Sequence, residues 1–304
     1  MNSRRLIARR DPGLKARIVD SFPLCDESGV FVRAGSALLH VGPRLLVVQD
    51  DAWQAWWIDP QRRRLTPLRL KGSGKRKSKK KKPDLEAAFV DPSGAIWILG
   101  SGSRPNRCRI AHIALGKTPR VTVRETVPLY QALAAVLGAT PNIEGALVWR
   151  GRLRLLHRDT GGRSSAMLDL PLAALCGKIP QMLTVTRCDL GSLSSVPLGF
   201  TDATRFGSSM IYLAAAEYSR DAVADGPVAG AALGVIGRNG ARWTPLRERD
   251  GQLSRRKVEG IVLDAGGKSG WLLTDPDDPG QVAELCRVQL DGFSRQHAGS
   301  RPAR

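Results

Sequence analysis

Asp84-Leu-Glu-Ala-Ala-Phe-Val-Asp91 is one of three copies of a short pattern in this chain. The other two copies are Asn142-Ile-Glu-Gly-Ala-Leu-Val-Trp149 and Lys257-Val-Glu-Gly-Ile-Val-Leu-Asp264. In each copy a glutamate precedes an apolar run, and a second apolar run follows after a short turn. Two such runs joined by a tight turn are typical of an antiparallel β-hairpin. The pattern therefore predicts three structurally equivalent β units.

Two weaker copies fill the gaps in the spacing. They are Ser36-Ala-Leu-Leu-His-Val41 and Ser195-Val-Pro-Leu-Gly-Phe-Thr201, each followed by a further apolar run. All-β units that repeat every 50–60 residues or so are typical of a propeller. We therefore expect an all-β fold, a five-bladed β-propeller; a sixth blade would need strands that we do not find in the sequence. The last unit is one strand short, and residues 14–24 have the character of the missing strand, so the N-terminal strand is expected to close the C-terminal blade.

The chain is expected to form a single propeller domain over residues 1–304. Within it, residues 71–83 form a lysine-rich segment of low complexity that is expected to be a flexible basic loop, and residues 294–304 are expected to be a disordered tail. Short helices are expected at 130–137 and 172–176, ending at Gly138 and Gly177.

Composition restricts the class of protein. The chain has 304 residues, 42% of them hydrophobic, and no apolar run long enough to span a membrane. The five cysteines are scattered, without metal-ligand spacing, and the basic N-terminus has no apolar core of a signal peptide, so a monomeric cytoplasmic protein with reduced thiols is expected. The net charge of +19 would bind polyanions non-specifically, above all through residues 71–82, but a solvated loop explains that run equally well.

The repeated glutamates indicate a metal site. Glu86, Glu144 and Glu259 each begin an innermost strand, so they are expected to meet at the central channel, with Ser36 and Ser195 at the equivalent places of the other units. Carboxylates gathered in a low-dielectric channel repel one another unless a cation neutralises them, and an oxygen-only donor set suits Ca²⁺ or another divalent cation. The alternative is that each glutamate caps backbone amides or pairs with lysine and arginine.

The ends of the second strands are expected to deliver further polar residues to the same face. Candidate acid–base residues are His157, Arg158 and Asp159, and the candidate ligand-binding residues are Lys82, Ser101, Ser103, Arg104, Glu217 and Asp275. A cation next to acids and mobile lysines would suit metal-dependent hydrolysis of a phosphate ester or another anionic small molecule. The alternative is a non-enzymatic scaffold that binds a protein or polyanion partner.

Several segments resemble known propellers. The order Ser36, Glu86, Glu144, Ser195, Glu259 is similar to the calcium-binding ring of the calcium-activated nucleotidase (apyrase) family. A bacterial propeller family of unknown function, which is similar to phytase-like and esterase-like propellers, is resembled by three further segments. They are Lys82-Pro-Asp-Leu-Glu-Ala87, Pro141-Asn-Ile-Glu-Gly-Ala146 and Lys257-Val-Glu-Gly260. The resemblance implies a five-bladed fold and a central Ca²⁺, and it implies no particular activity.

Overall fold

The computed structural model describes residues 4–26, 29–159, 165–178, 183–218, 226–278 and 280–293. The expected tail at 294–304 lies outside the described residues. Strands make up most of the regular secondary structure of the described residues, and most of them fall into antiparallel groups of four.

The first three groups are simple meanders, in which each strand pairs with the next one along the chain. The first contains β3 (Gly35–Val41), β4 (Arg44–Gln49), β5 (Gln54–Asp59) and β6 (Arg64–Arg69). The second contains β7 (Leu85–Val90), β8 (Ile96–Gly100), β9 (Arg109–Ala114) and β10 (Arg120–Glu125). The third contains β11 (Ile143–Trp149), β12 (Arg152–His157), β13 (Ser165–Leu170) and β14 (Thr184–Asp189).

The fourth group begins with a short extra strand. It contains β15 (Ser192–Leu193), β16 (Val196–Phe206), β17 (Ser209–Glu217), β18 (Val228–Gly237) and β19 (Gly240–Arg247). The last group contains β20 (Val258–Leu263), β21 (Ser269–Thr274) and β22 (Glu284–Asp291). Its fourth strand comes from the N-terminus, because β2 (Lys15–Pro23) pairs antiparallel with β22, as the sequence predicts.

A further N-terminal strand, β1 (Arg4–Arg10), lies on the outer edges of two groups. It pairs parallel with β14 through its first half and with β19 through its second half. β2 also makes a short parallel pairing with β19. The N-terminal segment therefore joins three groups at their outer edges, and the sequence did not predict the strand β1.

The first strands of the groups form a closed ring. β3 contacts β7, β7 contacts β11, β11 contacts β16, β16 contacts β20, and β20 returns to β3. Neighbouring groups share clusters of buried apolar side chains, including one between the last group and the first. Burial of these faces against each other is the main source of stability in such a fold.

Helical structure is confined to connections. The helix α1 (Val127–Leu137) ends at Gly138, whose φ of 64° is the left-handed conformation that glycine adopts at low cost. A 3₁₀ turn (Leu172–Cys176) ends at Gly177, and another covers Pro105–Arg107. Both expected helical segments are thus confirmed. No helix among the described residues is long and apolar enough to cross a bilayer.

Candidate functional site: an acid-rich centre

Each first strand contains one β-bulge at an equivalent position. The pairing with the second strand shifts between Gly35 and Ala37, Leu85 and Ala87, Ile143 and Gly145, Phe200 and Asp202, and Val258 and Gly260. The bulged residues, which we call the bulge ring, are Ser36, Glu86, Glu144, Thr201 and Glu259. A bulge redirects a side chain out of the regular alternation of a strand. Because the first strands form a closed ring, the bulges place these five residues at equivalent positions around one centre, where the Ser36 hydroxyl donates to Leu85 O.

Ser195 does not belong to this ring. It lies in the exposed turn between β15 and β16, with a φ of 65°, and Thr201 holds the equivalent position in β16. The expected place of Ser195 was wrong because β16 extends further before its bulge than the other first strands do. Thr201-Asp-Ala203 matches Glu86-Ala-Ala88 and Glu144-Gly-Ala146 better, and this signal was available in the sequence.

The glutamates of the bulge ring lie near protein cations. Lys257 Nζ is 3.6 Å from Glu259 Oε1 and 2.7 Å from Asp277 Oδ2, and Lys82 Nζ is 4.0 Å from Glu86 Oε1. Glu144 Oε1 accepts a hydrogen bond from Asn142 Nδ2 at 2.5 Å. Pairing with lysine, which the sequence analysis gave as the alternative to a metal, is therefore part of this site.

The polar residue two positions before each glutamate also faces the site. These residues are Asp84, Asn142 and Lys257, and the sequence analysis did not select them. The repeated spacing, polar residue–apolar residue–glutamate, was the signal that could have identified all three.

Asp84 is the best-anchored carboxylate of the centre. Arg107, itself fully buried, donates from Nη1 to Asp84 Oδ2 at 2.7 Å, and Ser101 also donates to Oδ2. Ser103 Oγ lies 3.3 Å from the same oxygen. The Asp84 backbone has a φ of 56°, an uncommon conformation for a residue other than glycine and one that persists only where the surroundings enforce it. The hydroxyls of Ser101 and Ser103 thus both contact the Asp84 carboxylate.

Asp84 belongs to a tight group of acids. One carboxylate oxygen each from Asp50, Asp84 and Glu86 lies within 4.8 Å of the others, which we call the acid cluster. Lys82 Nζ lies among them, in contact with Asp50 and 2.9 Å from Asp84 Oδ1. Burial alone would raise the pKa of Asp84, but Lys82 and Arg107 hold it below its usual value.

Burial raises the pKa values of the remaining carboxylates. Burial raises the pKa of Glu144 to about 7, although Arg158 and Lys257 act against it, and burial raises the pKa of Asp275 to about 8. The pKa values of Glu86 and Glu259 are also raised, first by burial and then by neighbouring acids that include Asp84 and Glu144. Within the described residues, buried acids outnumber the cations at this centre, so it attracts positive charge.

The expected acid–base residues His157 and Asp159 lie in different surroundings. His157 is buried, its Nδ1 accepts the Asn142 N–H at 3.1 Å, and burial lowers its pKa to about 4. The imidazole is therefore neutral at physiological pH and does not titrate there. Asp159 Oδ2 is buried without a partner among the described atoms and adjoins residues 160–164, which the structure does not describe.

Arg158 joins the third group to the fourth. Its Nη2 lies 2.5 Å from Glu217 Oε2, and both side chains are buried. The arginine passes over Gly199, where a Cβ would lie 2.8 Å from Arg158 Cγ. Glu217 also accepts the Gly226 N–H at 2.9 Å. Arg158 and Glu217 thus form a buried ion pair.

The lysine-rich segment is attached to the rim of the site along its length. Lys77 N donates to Asp51 O at 2.8 Å, and Arg107 Nη2 donates to Lys79 O at 3.1 Å. Asn106 Nδ2 donates to Lys82 O at 3.2 Å. The side chains of residues 75–81 are exposed, while Lys82 points into the acid cluster. Arg104 is half-buried nearby, and a groove of about 620 Å³ opens beside Lys257 and Asp275.

Fold and site together define an all-β protein of propeller architecture with an acid-rich centre. Residues 31–290 match the model described as "Family of unknown function (DUF6929)", and the chain belongs to that family. None of the curated proteins matches the sequence.

Solved structures resemble the chain in fold alone. The major allergen Mala s 1 of Malassezia sympodialis superposes with a TM-score of 0.54 at 10% identity, covering 93% of this chain and 100% of that one. Regucalcin from Agrobacterium tumefaciens, a calcium-binding protein, gives 0.46 at 11% identity, covering 94% and 97%. The WD40 β-propeller domain of Doa1 gives 0.38 at 8% identity, covering 92% and 98%.

Proposed function

We propose that the four-stranded groups are the five blades of one propeller domain, and that this propeller binds a divalent cation, Ca²⁺, at the bulge ring. Glu144, Glu259 and Thr201 would hold the ion, with Glu86 and Ser36 completing the ring. The observation that carries the proposal is a pair of buried oxygens without partners among the described atoms, Glu259 Oε2 and Thr201 Oγ1. A buried oxygen without a hydrogen bond is costly, and a cation would remove that cost.

The chemistry of the donors fits a hard cation. The bulge ring offers carboxylate and hydroxyl oxygens only, and Ca²⁺ prefers six to eight oxygen ligands in a flexible arrangement. Neutralising the surplus of buried acid is a second contribution, because a bound cation would offset the burial that is the first cause of the raised pKa values of Glu144 and Glu259. This charge balance favours a cation over an anion as the first ligand of the centre.

Calorimetric titration tests the proposed site. The wild-type protein is expected to bind one Ca²⁺, and Glu259→Gln is expected to weaken binding at least tenfold because it removes a charged ligand. Glu125→Gln, an exposed glutamate outside the centre, is the matched control and is expected to bind as the wild type does. Equal affinity in all three proteins would contradict the assignment.

We further propose hydrolysis of a phosphate ester or another anionic small molecule. A bound cation would supply polarisation of a phosphoryl oxygen, while Arg104 and the exposed lysines next to the site would approach the substrate's negative charge. His157 is neutral and buried, so it would position Asn142 and would not transfer a proton. A screen of phosphate esters with and without Ca²⁺ tests this step, and absence of cation-dependent turnover would leave a non-enzymatic scaffold.

A second candidate function is polyanion binding through the lysine-rich segment. This proposal is supported by the exposed side chains of Lys75, Lys77, Lys80 and Lys81, which lie on the segment that is hydrogen-bonded to the rim of the site. Replacing these four lysines by glutamine should reduce the salt dependence of binding to single-stranded RNA by a slope of about 3. An unchanged slope, with the fold intact, would exclude this segment as the binding surface.

We also place the protein in the cytoplasm as a monomer. All five cysteines are free, as the sequence predicts, and two of them, Cys25 and Cys176, are exposed. Exposed unpaired thiols suit a reducing compartment. The pairing of β2 with β22 covers a sheet edge that would otherwise be open to a second chain.

A further inference from the structure

Lys82 is the one lysine of the lysine-rich segment that enters the site. Its side chain is 16% exposed, and its ammonium lies among the three carboxylates of the acid cluster. Burial disfavours its charge, yet Asp50, Glu86 and Asp84 more than compensate and raise its pKa. Lys82 is therefore held as a cation at all physiological pH values.

The acid cluster has the dimensions of a divalent cation site. Two oxygens bound to one Ca²⁺ at 2.3–2.6 Å lie no more than about 5 Å apart, and the cluster oxygens lie within 4.8 Å of one another. An ammonium and a metal ion could not both occupy this space. Glu86 belongs both to the acid cluster and to the bulge ring, so the position of Lys82 affects the proposed cation directly.

The two unpartnered oxygens of the bulge ring show that Lys82 does not complete the site. Glu259 Oε2 and Thr201 Oγ1 are buried and lack partners among the described atoms, although Lys257 is close to Glu259. The protein cations therefore neutralise part of the centre and leave these two oxygens without a partner among the described atoms.

We propose that Lys82 is an intramolecular competitor of the divalent cation, which must displace the Lys82 ammonium from Glu86 in order to bind with full coordination. Lys82 would thereby set the affinity of the centre and hold the carboxylates together when no metal is bound. This inference rests on the proposed cation site and concerns how that site is filled and emptied.

The surrounding contacts allow the side chain to leave while the backbone stays. The segment is held through its main chain, by the bonds from Lys77 N to Asp51 O, from Arg107 to Lys79 O and from Asn106 to Lys82 O. None of these bonds involves the Lys82 ammonium. A lysine side chain has a flexible four-carbon stem, so rotation of that stem is sufficient to withdraw the charge.

Calorimetric titration of Lys82→Met tests the competition. Methionine keeps the length and apolar stem of lysine and removes its charge, so the variant is expected to bind Ca²⁺ at least tenfold more tightly than the wild type. Lys80→Met, an exposed lysine of the same segment, is the control and should leave the affinity unchanged. Equal affinity of wild type and Lys82→Met would overturn the inference while leaving the cation site intact; no binding by either protein would overturn both.

Lysine labelling in the wild-type protein gives a second test that does not depend on the stability of a variant. Reaction with an amine-specific acetylating reagent, read by mass spectrometry, should show Lys82 protected in the presence of a chelator and several-fold more reactive with saturating Ca²⁺. Lys80 should react equally in both conditions. Protection of Lys82 that persists when calorimetry shows bound Ca²⁺ would contradict displacement.

Discussion

Arginine side chains cover a tryptophan ring in each of the four-stranded groups. The guanidinium carbons lie 4.6 to 5.9 Å from the ring centroids in the following pairs: Arg44–Trp57, Arg124–Trp97, Arg154–Trp149, Arg10–Trp243 and Arg287–Trp271. Such contacts use the charge and the flat face of the guanidinium together. Part of the net charge of +19 therefore packs against tryptophan rings on the sheets. The net charge alone is accordingly weak support for nucleic-acid binding.

The variant Gly199→Ala tests how much the Arg158–Glu217 contact between the third and fourth groups contributes to stability. In Gly199→Ala the new Cβ would lie 2.8 Å from Arg158 Cγ and 3.1 Å from Nε, so the arginine must move and its buried pair with Glu217 must weaken. We expect a loss of about 1–3 kcal/mol in the free energy of unfolding, measured by urea denaturation. Gly266→Ala, where nothing lies within 4 Å of a new Cβ, is the control. Equal stability of both variants would show that Arg158 can move away from the new methyl group without loss of its contact with Glu217.

The raised pKa of Asp202 predicts that the free energy of unfolding depends on pH even when no cation is bound. Burial raises its pKa well above the usual 3.8, although the Ile261 N–H, 2.9 Å from Oδ2, acts against the shift. The unfolded chain therefore loses this proton at lower pH than the folded chain does, and stability falls as pH rises through the interval between the two pKa values.

The variant Asp202→Asn should lack this dependence. Its free energy of unfolding relative to the wild type should be more favourable at about pH 8 than at about pH 5, measured by urea denaturation at both pH values in chelator. Asp291→Asn, at an exposed carboxyl, should show the same difference from wild type at both. A pH-independent difference for Asp202→Asn would mean that this carboxylate is ionised in the folded protein.

At the level of elements, the hairpins were predictable and the bulges were not. Apolar runs separated by turn residues identify strands from sequence alone, and the equivalence of Glu86, Glu144 and Glu259 followed from the similar apolar runs around them. Thr201 was missed because β16 extends further before its bulge than the other first strands do, although the match of Thr201-Asp-Ala203 to the other repeats was present in the sequence. The strand β1 was missed because its four arginines give it no alternation, and its pairing with two groups is purely tertiary.

The N-terminal strand β2 is expected to be essential for the last group. A chain beginning at residue 25 would leave β22 with an open edge and would remove Ile18 and Phe22 from the buried clusters. Such open edges promote aggregation, so we expect loss of the cooperative thermal transition and aggregation in light scattering. A double variant, Lys15→Ala with Arg17→Ala, keeps β2 and changes exposed positions only, so it should unfold as the wild type does. A truncated chain that stays monomeric and folded would contradict the closing role of β2.

The whole molecule determines the site, because every four-stranded group contributes one residue to the bulge ring. The nature of the donors could be read from the sequence, since three glutamates recur in the same context. The role of Arg107 could not be read in this way, because its guanidinium reaches Asp84 only through tertiary packing. The sequence accordingly predicted the carboxylates together with Lys82 and Arg158 on one face, and it missed Arg107 and Lys257.

The central claim is that the acid-rich centre binds a divalent cation. Its most direct test is thermal unfolding of the wild type and of Glu144→Gln, each with Ca²⁺ and with a chelator. Ligand in 100-fold excess over its dissociation constant stabilises the native state by about 3 kcal/mol, so the wild-type midpoint should rise with Ca²⁺ and the Glu144→Gln midpoint should rise much less. A wild-type midpoint that is the same in Ca²⁺ and chelator, in protein shown to be free of metal, would contradict the account and leave the glutamates as partners of Lys82, Arg158 and Lys257.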